Sequence, residues 1–364
     1  MKLVSVSLFS FLLTYTIIPI VILLAKRYNC VDVPGGRRLH TTITPTWGGG
    51  AFLLGVLLPL LFFIPPKAVF VSFATASIIL VVIGLVDDYR PLGWKAKFAG
   101  IAVASTIVIF GAHAVVNHIG SNGNIGQIQL GWLSIPFTYF CILGVTNALN
   151  LFDGLNGLAG GAALLGFLFL GIAGLNSSNT MVVVTAFSFV GALAAFLPYN
   201  FPDARLFMGD SGSLFLGFSL AALSIFLTQE PASSVSPMYP VLVLLVPIFD
   251  TLRLLAIRLM NRKNPFHGDK GHLHHLFVRR GIPASRTTVI LWTISAICGI
   301  SALALVKKPS STVLCAVCYG IVGLSILVIV LASRRRNRSV VNGKAALLMK
   351  RSRIINLLTK LWLW

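Results

Sequence analysis

Acid is what this chain lacks most. Of its 364 residues nine are Asp or Glu, against 29 Lys and Arg, and Glu230 is the lone glutamate. Charged residues make up 10% of the chain, where a soluble globular domain carries about 25%. A soluble protein with a charged shell is therefore excluded. With 56% hydrophobic residues and a mean hydropathy of +0.90, the chain reads as a polytopic membrane protein. Cysteine is scarce too. Cys30, Cys141, Cys298, Cys315 and Cys318 lie mostly inside apolar runs, and the one C-x-x-C, Cys315 and Cys318, has no second pair. No zinc or redox centre is expected from them. No fixed-period repeat is evident. A cleavage pattern is missing after the first apolar run, so residues 1–25 are read as a retained span rather than a signal peptide. The net charge of +20 would suggest nucleic acid in a soluble protein. Here the basic residues sit at span ends and in the tail, so no nucleic-acid partner is expected.

Eleven apolar runs can each cross the ~30 Å hydrocarbon core as a helix: 3–25, 47–64, 67–86, 97–117, 133–151, 157–175, 180–198, 211–228, 238–260, 287–306 and 311–332. The expected fold is all-α, with connections alternating between two faces. One face collects all basic residues except Lys2, Lys67, Lys307 and Lys308. By the positive-inside rule that face is cytoplasmic, with the N-terminus outside and the C-terminus inside the cell (inner) membrane. The same alternation puts Asp32, Asp87, Asp88, Asp153, Asp203, Asp210 and Asp269 on the cytoplasmic face, with Asp250 within span nine and Glu230 outside. One polar site at the cytoplasmic surface is the simplest reading. The outer segment 118–132 suits a short hairpin. The tail, residues 333–364, mixes basic residues with Leu, Ile and Trp and reads as an amphipathic helix on an anionic leaflet, with a disordered tail as the alternative.

Acids in a membrane chain are functional candidates by default. Asp87 and Asp88 end span three with Lys97 nearby, and an adjacent carboxylate pair suits Mg²⁺ or a base. Asn147, Asn150 and Asp153 are three apart, on one face of a continuing helical turn. Gly154 and its small neighbours then let a ligand approach the backbone. Asp210 opens span eight, reading as a metal and phosphate corner that could also be an N-cap. Arg37, Arg38 and His40 precede the Gly-rich entry to span two, where Arg and helix-start amides can hold phosphate. His272, His274 and His275 follow Asp269 and Lys270. This set could ligate a transition metal, but an anion-binding loop facing a diphosphate is preferred. Asp250 and Arg253 are spaced to pair. Together these are the parts of metal-assisted phosphoryl transfer to a membrane-bound acceptor.

The order D-D-Y, N-A-x-N-x-x-D-G-x-x-G-L, G-D-S-G-S-L-F-L-G and H-x-H-H resembles the polyprenyl-phosphate N-acetylhexosamine-1-phosphate transferases over about residues 1–332. His272-Leu273-His274-His275, in place of three consecutive histidines, is similar to the WecA/TagO-like branch. The resemblance implies transfer of N-acetylglucosamine-1-phosphate from a UDP-sugar to undecaprenyl phosphate, with release of UMP. The transmembrane catalytic domain would be residues 1–332, the cofactor Mg²⁺ or Mn²⁺, and the assembly a homodimer in many relatives. By the same resemblance Asp210 is a metal ligand with Asp88, and Asp87 and Asp88 lie near the lipid phosphate. Asn150, Asp153, Asn156 and Phe207 would contact uridine, and His272, His274 and His275 the diphosphate. Asn156 stands where the family motif has a second Asp. Direct attack by the lipid phosphate, whose second pKa of about 6 leaves it ionised, is preferred over a carboxylate phospho-enzyme. Rival readings are another donor (UDP-MurNAc-pentapeptide, or a FucNAc or QuiNAc nucleotide) and an ion-coupled transporter with acids deep in its spans.

Overall fold

The computed structural model describes residues 2–33, 43–122, 126–177, 179–230, 233–262 and 271–330. Arg37, Arg38, His40, Asp269, Lys270 and the tail 333–364 lie outside the described residues. The long helices are α1 (Lys2–Arg27), α2 (Gly48–Phe63), α3 (Ala68–Tyr89), α4 (Trp94–Gly111), α5 (Ser134–Phe152), α6 (Leu158–Asn176), α7 (Thr180–Asn200) and α8 (Gly209–Thr228). They continue through α9 (Met238–Val243), α10 (Leu245–Met260), α11 (Leu273–Val278), α12 (Ala284–Ala304) and α13 (Ser310–Val330). Nine helices among the described residues are long and apolar enough to cross a membrane.

Each of the eleven expected spans has its helical counterpart, with two departures. Span two is a 16-residue helix, Gly48–Phe63. Span nine is two helices that meet at Leu244. Pro247 has no N–H to give the carbonyl of Val243, one helical turn back, so the ladder cannot run through that point. Two short antiparallel pairs complete the fold. β1 (Val31–Asp32) pairs with β2 (Thr44–Pro45), and β3 (His118–Asn122) with β4 (Gly126–Gln129), the hairpin expected in the outer segment.

α8 is the central post, packed on α3, α5, α2 and α6. Its span is 94% buried, against 17% for α13 and 22% for α1, which face outward. Lipid is as apolar as leucine, so helices in a bilayer associate by close packing through small residues rather than by hydrophobic exclusion. α8 carries Ser211, Gly212, Ser213, Gly217 and Ser219, all buried. A Cβ on Gly84 of α3 would overlap the Cα and amide of Ser211, and one on Gly49 of α2 would overlap the amide of Gly212. The start of α8 is thus wedged between two helix backbones. Farther along, Phe167 stacks on Phe189 at 4.1 Å between centroids and Phe189 meets Phe215 tilted at 5.1 Å, joining α6, α7 and α8; such pairs contribute about 0.5–1.5 kcal/mol each.

Gly84→Ala should therefore push α3 off α8 and cost about 1–3 kcal/mol. A fall of several degrees in melting temperature in detergent would show it. Gly93→Ala, whose Cβ would meet nothing within 4 Å, should leave the melting temperature unchanged.

Candidate active site

The site is built around the first turn of α8. A helix start leaves amides without partners, and here the partner comes from another helix. Asp88, at the end of α3, accepts from the amide of Asp210 at 2.7 Å, the amide of Ser211 at 3.4 Å and the Ser211 hydroxyl at 2.8 Å. Gly209 makes room for it: its φ is +69°, and a Cβ there would run into the Asp88 carboxylate. Asp210 is therefore not the N-cap of α8. It lies in the first turn with its carboxylate free to face elsewhere. The amides of Asp210 and Ser211 are committed to Asp88, so they do not form the expected phosphate corner. The entry to α2 departs in the same way, because Gly48 and Gly49 donate to the carbonyls of Phe207 and Met208 at 3.1 and 3.0 Å. These bonds, with Phe207 N–H to Pro45 O at 2.8 Å, stitch the loop before α8 to β2.

Lys97, in the first turn of α4, joins two carboxylates. Its ammonium is 2.8 Å from Asp87 Oδ2 and also pairs with Asp210 Oδ2. Asp87 is steadied by the amide of Leu92 at 2.6 Å. Asn150, near the end of α5, donates from Nδ2 to Asp210 Oδ1 at 3.0 Å and to Ser213 Oγ at 2.8 Å. Asp210 thus receives one cation and one amide, on different oxygens.

The turn from α5 to α6 supplies the far wall. α5 ends at Phe152, with Asp153 as its C-cap. Burial and the nearby charges of Asp210 and Asp88 push the Asp153 carboxyl up to about 7. The turn is braced from outside: Asn156 Nδ2 donates to Pro202 O at 2.9 Å, and Thr288 Oγ1 to Asn156 O at 3.2 Å. The buried Asn200 accepts from Gly157 N–H at 2.8 Å and donates to Leu206 O at 2.9 Å, tying this turn to the loop before α8. Asn200 was not among the expected site residues. Its one signal in the sequence is an amide closing an apolar run.

The histidines divide. Asp250 accepts from Leu273 N–H at 2.9 Å and from Arg253 Nη2 at 2.9 Å on Oδ1, and meets His272 Nδ1 at 2.9 Å on Oδ2. Arg253 also donates to Gly271 O at 2.6 Å. The pair expected from the i,i+3 spacing exists and pins the start of α11. His272 is buried on that pin, and His274 is buried behind Gly154, where a Cβ would collide with its ring. Burial, with the charges of His275 and His272, drops His274 to about 3, so it is neutral at physiological pH. Of the three, His275 alone lines the cavity. Successive residues on a helix point about 100° apart, so H-x-H-H cannot aim every ring one way.

The cavity measures about 690 Å³ and is lined by Asp87, Asp88, Asp153, Gly154, Asn156, Phe207, Asp210 and His275, with Asn29, Asp32 and Thr46 from the α1–α2 connection. That size suits a nucleotide-sized ligand. Lys97 and Asn150 reach it through Asp210. Asn147, one turn deeper on α5, does not line it. Among the described residues no three His, Cys, Asp or Glu side chains converge as a metal-binding group. Among the described residues the cluster nevertheless sets four carboxyl groups (Asp87, Asp88, Asp153, Asp210) against one ammonium, Lys97.

A helical bundle with Asp87, Asp88, Asp153 and Asp210 gathered at one end of its long apolar helices, around a polar cavity, is that of a polytopic membrane protein with a polar site at one end of the bundle. The model of glycosyl transferase family 4 matches residues 70–228, from α3 to the end of α8. The chain is 32% identical over 305 residues to a probable undecaprenyl-phosphate N-acetylglucosaminyl 1-phosphate transferase of Bacillus subtilis, covering 84% of this chain and 85% of the relative. It is 32% identical over 321 residues to a decaprenyl-phosphate N-acetylglucosaminephosphotransferase of Mycobacterium leprae, covering 80% of each. The identity is 26% over 279 residues to an undecaprenyl-phosphate alpha-N-acetylglucosaminyl 1-phosphate transferase of Escherichia coli K12, covering 75% of each. The chain belongs to glycosyl transferase family 4, within the polyprenyl-phosphate N-acetylhexosamine-1-phosphate transferases.

Two predictions follow from the geometry. Asp250→Asn should unpin α11, and hydrogen exchange at the Leu273 amide should accelerate at least tenfold while α8 amides keep their protection. For Asp153 the raised pKa gives the sign. Between about 4 and 7 the folded chain holds a proton that the unfolded chain has lost, so stability falls as pH rises through that window. Asp153→Asn should remove that slope, leaving the melting temperature near wild type at pH 4 and a few degrees above it at pH 8 in EDTA.

Proposed function

We propose that this protein transfers N-acetylglucosamine-1-phosphate from UDP-N-acetylglucosamine to undecaprenyl phosphate at the cytoplasmic face of the inner membrane, releasing UMP. Three relatives carry names for this chemistry or its decaprenyl counterpart, and their similarity extends over most of the chain. The observation that carries the reading is the pairing of Asp87 and Asp210 through Lys97, at the rim of a cavity that also presents Asp153 and His275. Asp87, Asp88, Asp153 and Asp210 lie on the face expected to collect most of the basic residues, which supports a cytoplasmic site. A soluble nucleotide donor and a lipid acceptor can meet only at such a surface.

A divalent cation fits this donor set. The nearby groups are carboxylate oxygens, which suit Mg²⁺ better than a soft metal, and among the described residues a single ammonium, Lys97, is shared by Asp87 and Asp210. Asp210 would hold it, with Asp87 beside it. Mg²⁺ supplies charge neutralisation at a diphosphate and a template for in-line displacement. Asp88 serves as a positioning residue, since its oxygens hold the start of α8 and so aim Asp210. Lys97 holds Asp87 and Asp210 together by pairing with both. Asn150 orients Asp210 from the other side. Asp87, steadied by the Leu92 amide, is placed to take the residual proton of a lipid phosphate that is already largely ionised near neutral pH. His275 faces the cavity where a donor diphosphate would lie, and Asp153 and Asn156 line the wall for its nucleoside end.

The test is UMP release by purified protein with undecaprenyl phosphate, Mg²⁺ and a panel of UDP-sugars. Release from UDP-N-acetylglucosamine alone, falling at least a hundredfold in Asp210→Asn, is the expected result. Turnover of a different UDP-sugar would keep the reaction and change the donor. Asp210→Asn as fast as wild type would reject the assigned site.

A further inference from the structure

At the end of the bundle remote from the carboxylates a second cavity, of about 500 Å³, lies among four connections of the chain: α2 to α3, α4 to the hairpin, α6 to α7, and the end of α8. α8, 20 residues long, begins at the carboxylate site and ends here, so about 30 Å separates the two. The walls are apolar, with Phe70 and Phe226 prominent, and the mouth carries Lys67, His113 and Glu230. Glu230 is the lone glutamate of the chain and, among the described residues, the one acid on this face; the other described acids lie at the opposite end or within α10. In a chain this poor in acid, a carboxylate beside an apolar cavity at a membrane surface is itself unusual.

Glu230 is also held in place. Asn179, 7% exposed, donates from Nδ2 to Glu230 Oε2 at 2.8 Å and to the carbonyl of Phe226 at 3.0 Å, while its Oδ1 accepts from Val182 N–H at 3.0 Å. One amide therefore caps α7, joins it to α8 and fixes the carboxylate at the rim. Lys67, the N-cap residue of α3, lines the same cavity and is exposed. The cavity thus offers, among the described residues, one fixed anion, one lysine and a mostly apolar lining.

We propose that this cavity binds a zwitterionic aminophospholipid from the leaflet opposite the catalytic face. The lipid ammonium meets Glu230, its phosphate meets Lys67, and the upper part of an acyl chain enters between Phe70 and Phe226. The charge pattern selects the headgroup. An anionic headgroup could use Lys67 but would meet Glu230 unfavourably. A choline headgroup keeps the charge but cannot donate a hydrogen bond to the carboxylate. The inference is independent of the reaction assigned to the other end of the bundle.

The test is native mass spectrometry of the full-length protein in detergent with equimolar phosphatidylethanolamine and phosphatidylglycerol of identical acyl chains. Wild type should retain phosphatidylethanolamine over phosphatidylglycerol by about fivefold, the upper end for one exposed ion pair. Glu230→Gln should bring the two to parity. Thr180→Trp, which places a bulky ring from an exposed lining position into the mouth, should lower retention of both. An unchanged size-exclusion profile serves as the control for folding. Equal retention of the two lipids by wild type, or a preference that survives in Glu230→Gln, overturns the proposal.

Discussion

Carboxylates at the end of an apolar bundle must be compensated, and this constraint organises the protein. Ionised carboxylates packed together repel, and burial penalises each charge further. The four acids of the cluster answer that problem in three ways. Asp88 takes the amides at the start of α8. Asp87 and Asp210 share Lys97. Asp153 has no such partner among the described residues and holds its proton up to about pH 7. Compensation doubles as positioning, because the group that neutralises each acid also ties one helix to another.

The rest of the architecture serves these ties. Gly84 and Gly49 let α3 and α2 approach the backbone of α8 closely enough for Asp88 to reach its amides. Asn200 and Asn156 hold the α5–α6 turn against the loop before α8, and Asp250 holds α11 against α10. Polar side chains at this end therefore work largely as cross-braces. The cavity is what remains between the braced segments. Three of the groups that face it, Asp153, Asn156 and His275, come from two of the braced segments, the α5–α6 turn and α11.

Much of this was legible in the sequence. Apolar run lengths place the helices, because a bilayer leaves the backbone little alternative to full intrahelical bonding. The alternation of connections gathers the acids at one end. Asp87, Asp153 and Asp210 do meet at one cavity, drawn from three separated stretches of chain. What spacing could not tell was which polar groups face the cavity and which face the protein. Asp88 and Asp210 look alike in the sequence, yet one caps a helix for the other. H-x-H-H looks like a single ligand, yet His272 and His274 are turned inward by the start of α11. Those distinctions depend on close approaches between helices distant in the chain, which no local pattern encodes. The break at Leu244 is local, by contrast, and Pro247 marks it.

The central claim is that the carboxylate cluster at the start of α8 is arranged to take a divalent cation at Asp210. Electron paramagnetic resonance with Mn²⁺ in place of Mg²⁺ measures this directly, without turnover. The account predicts one Mn²⁺ bound per chain by wild type and its loss in Asp210→Asn, with the monodisperse fold retained. Equal Mn²⁺ binding by wild type and Asp210→Asn, or none by either, would contradict it.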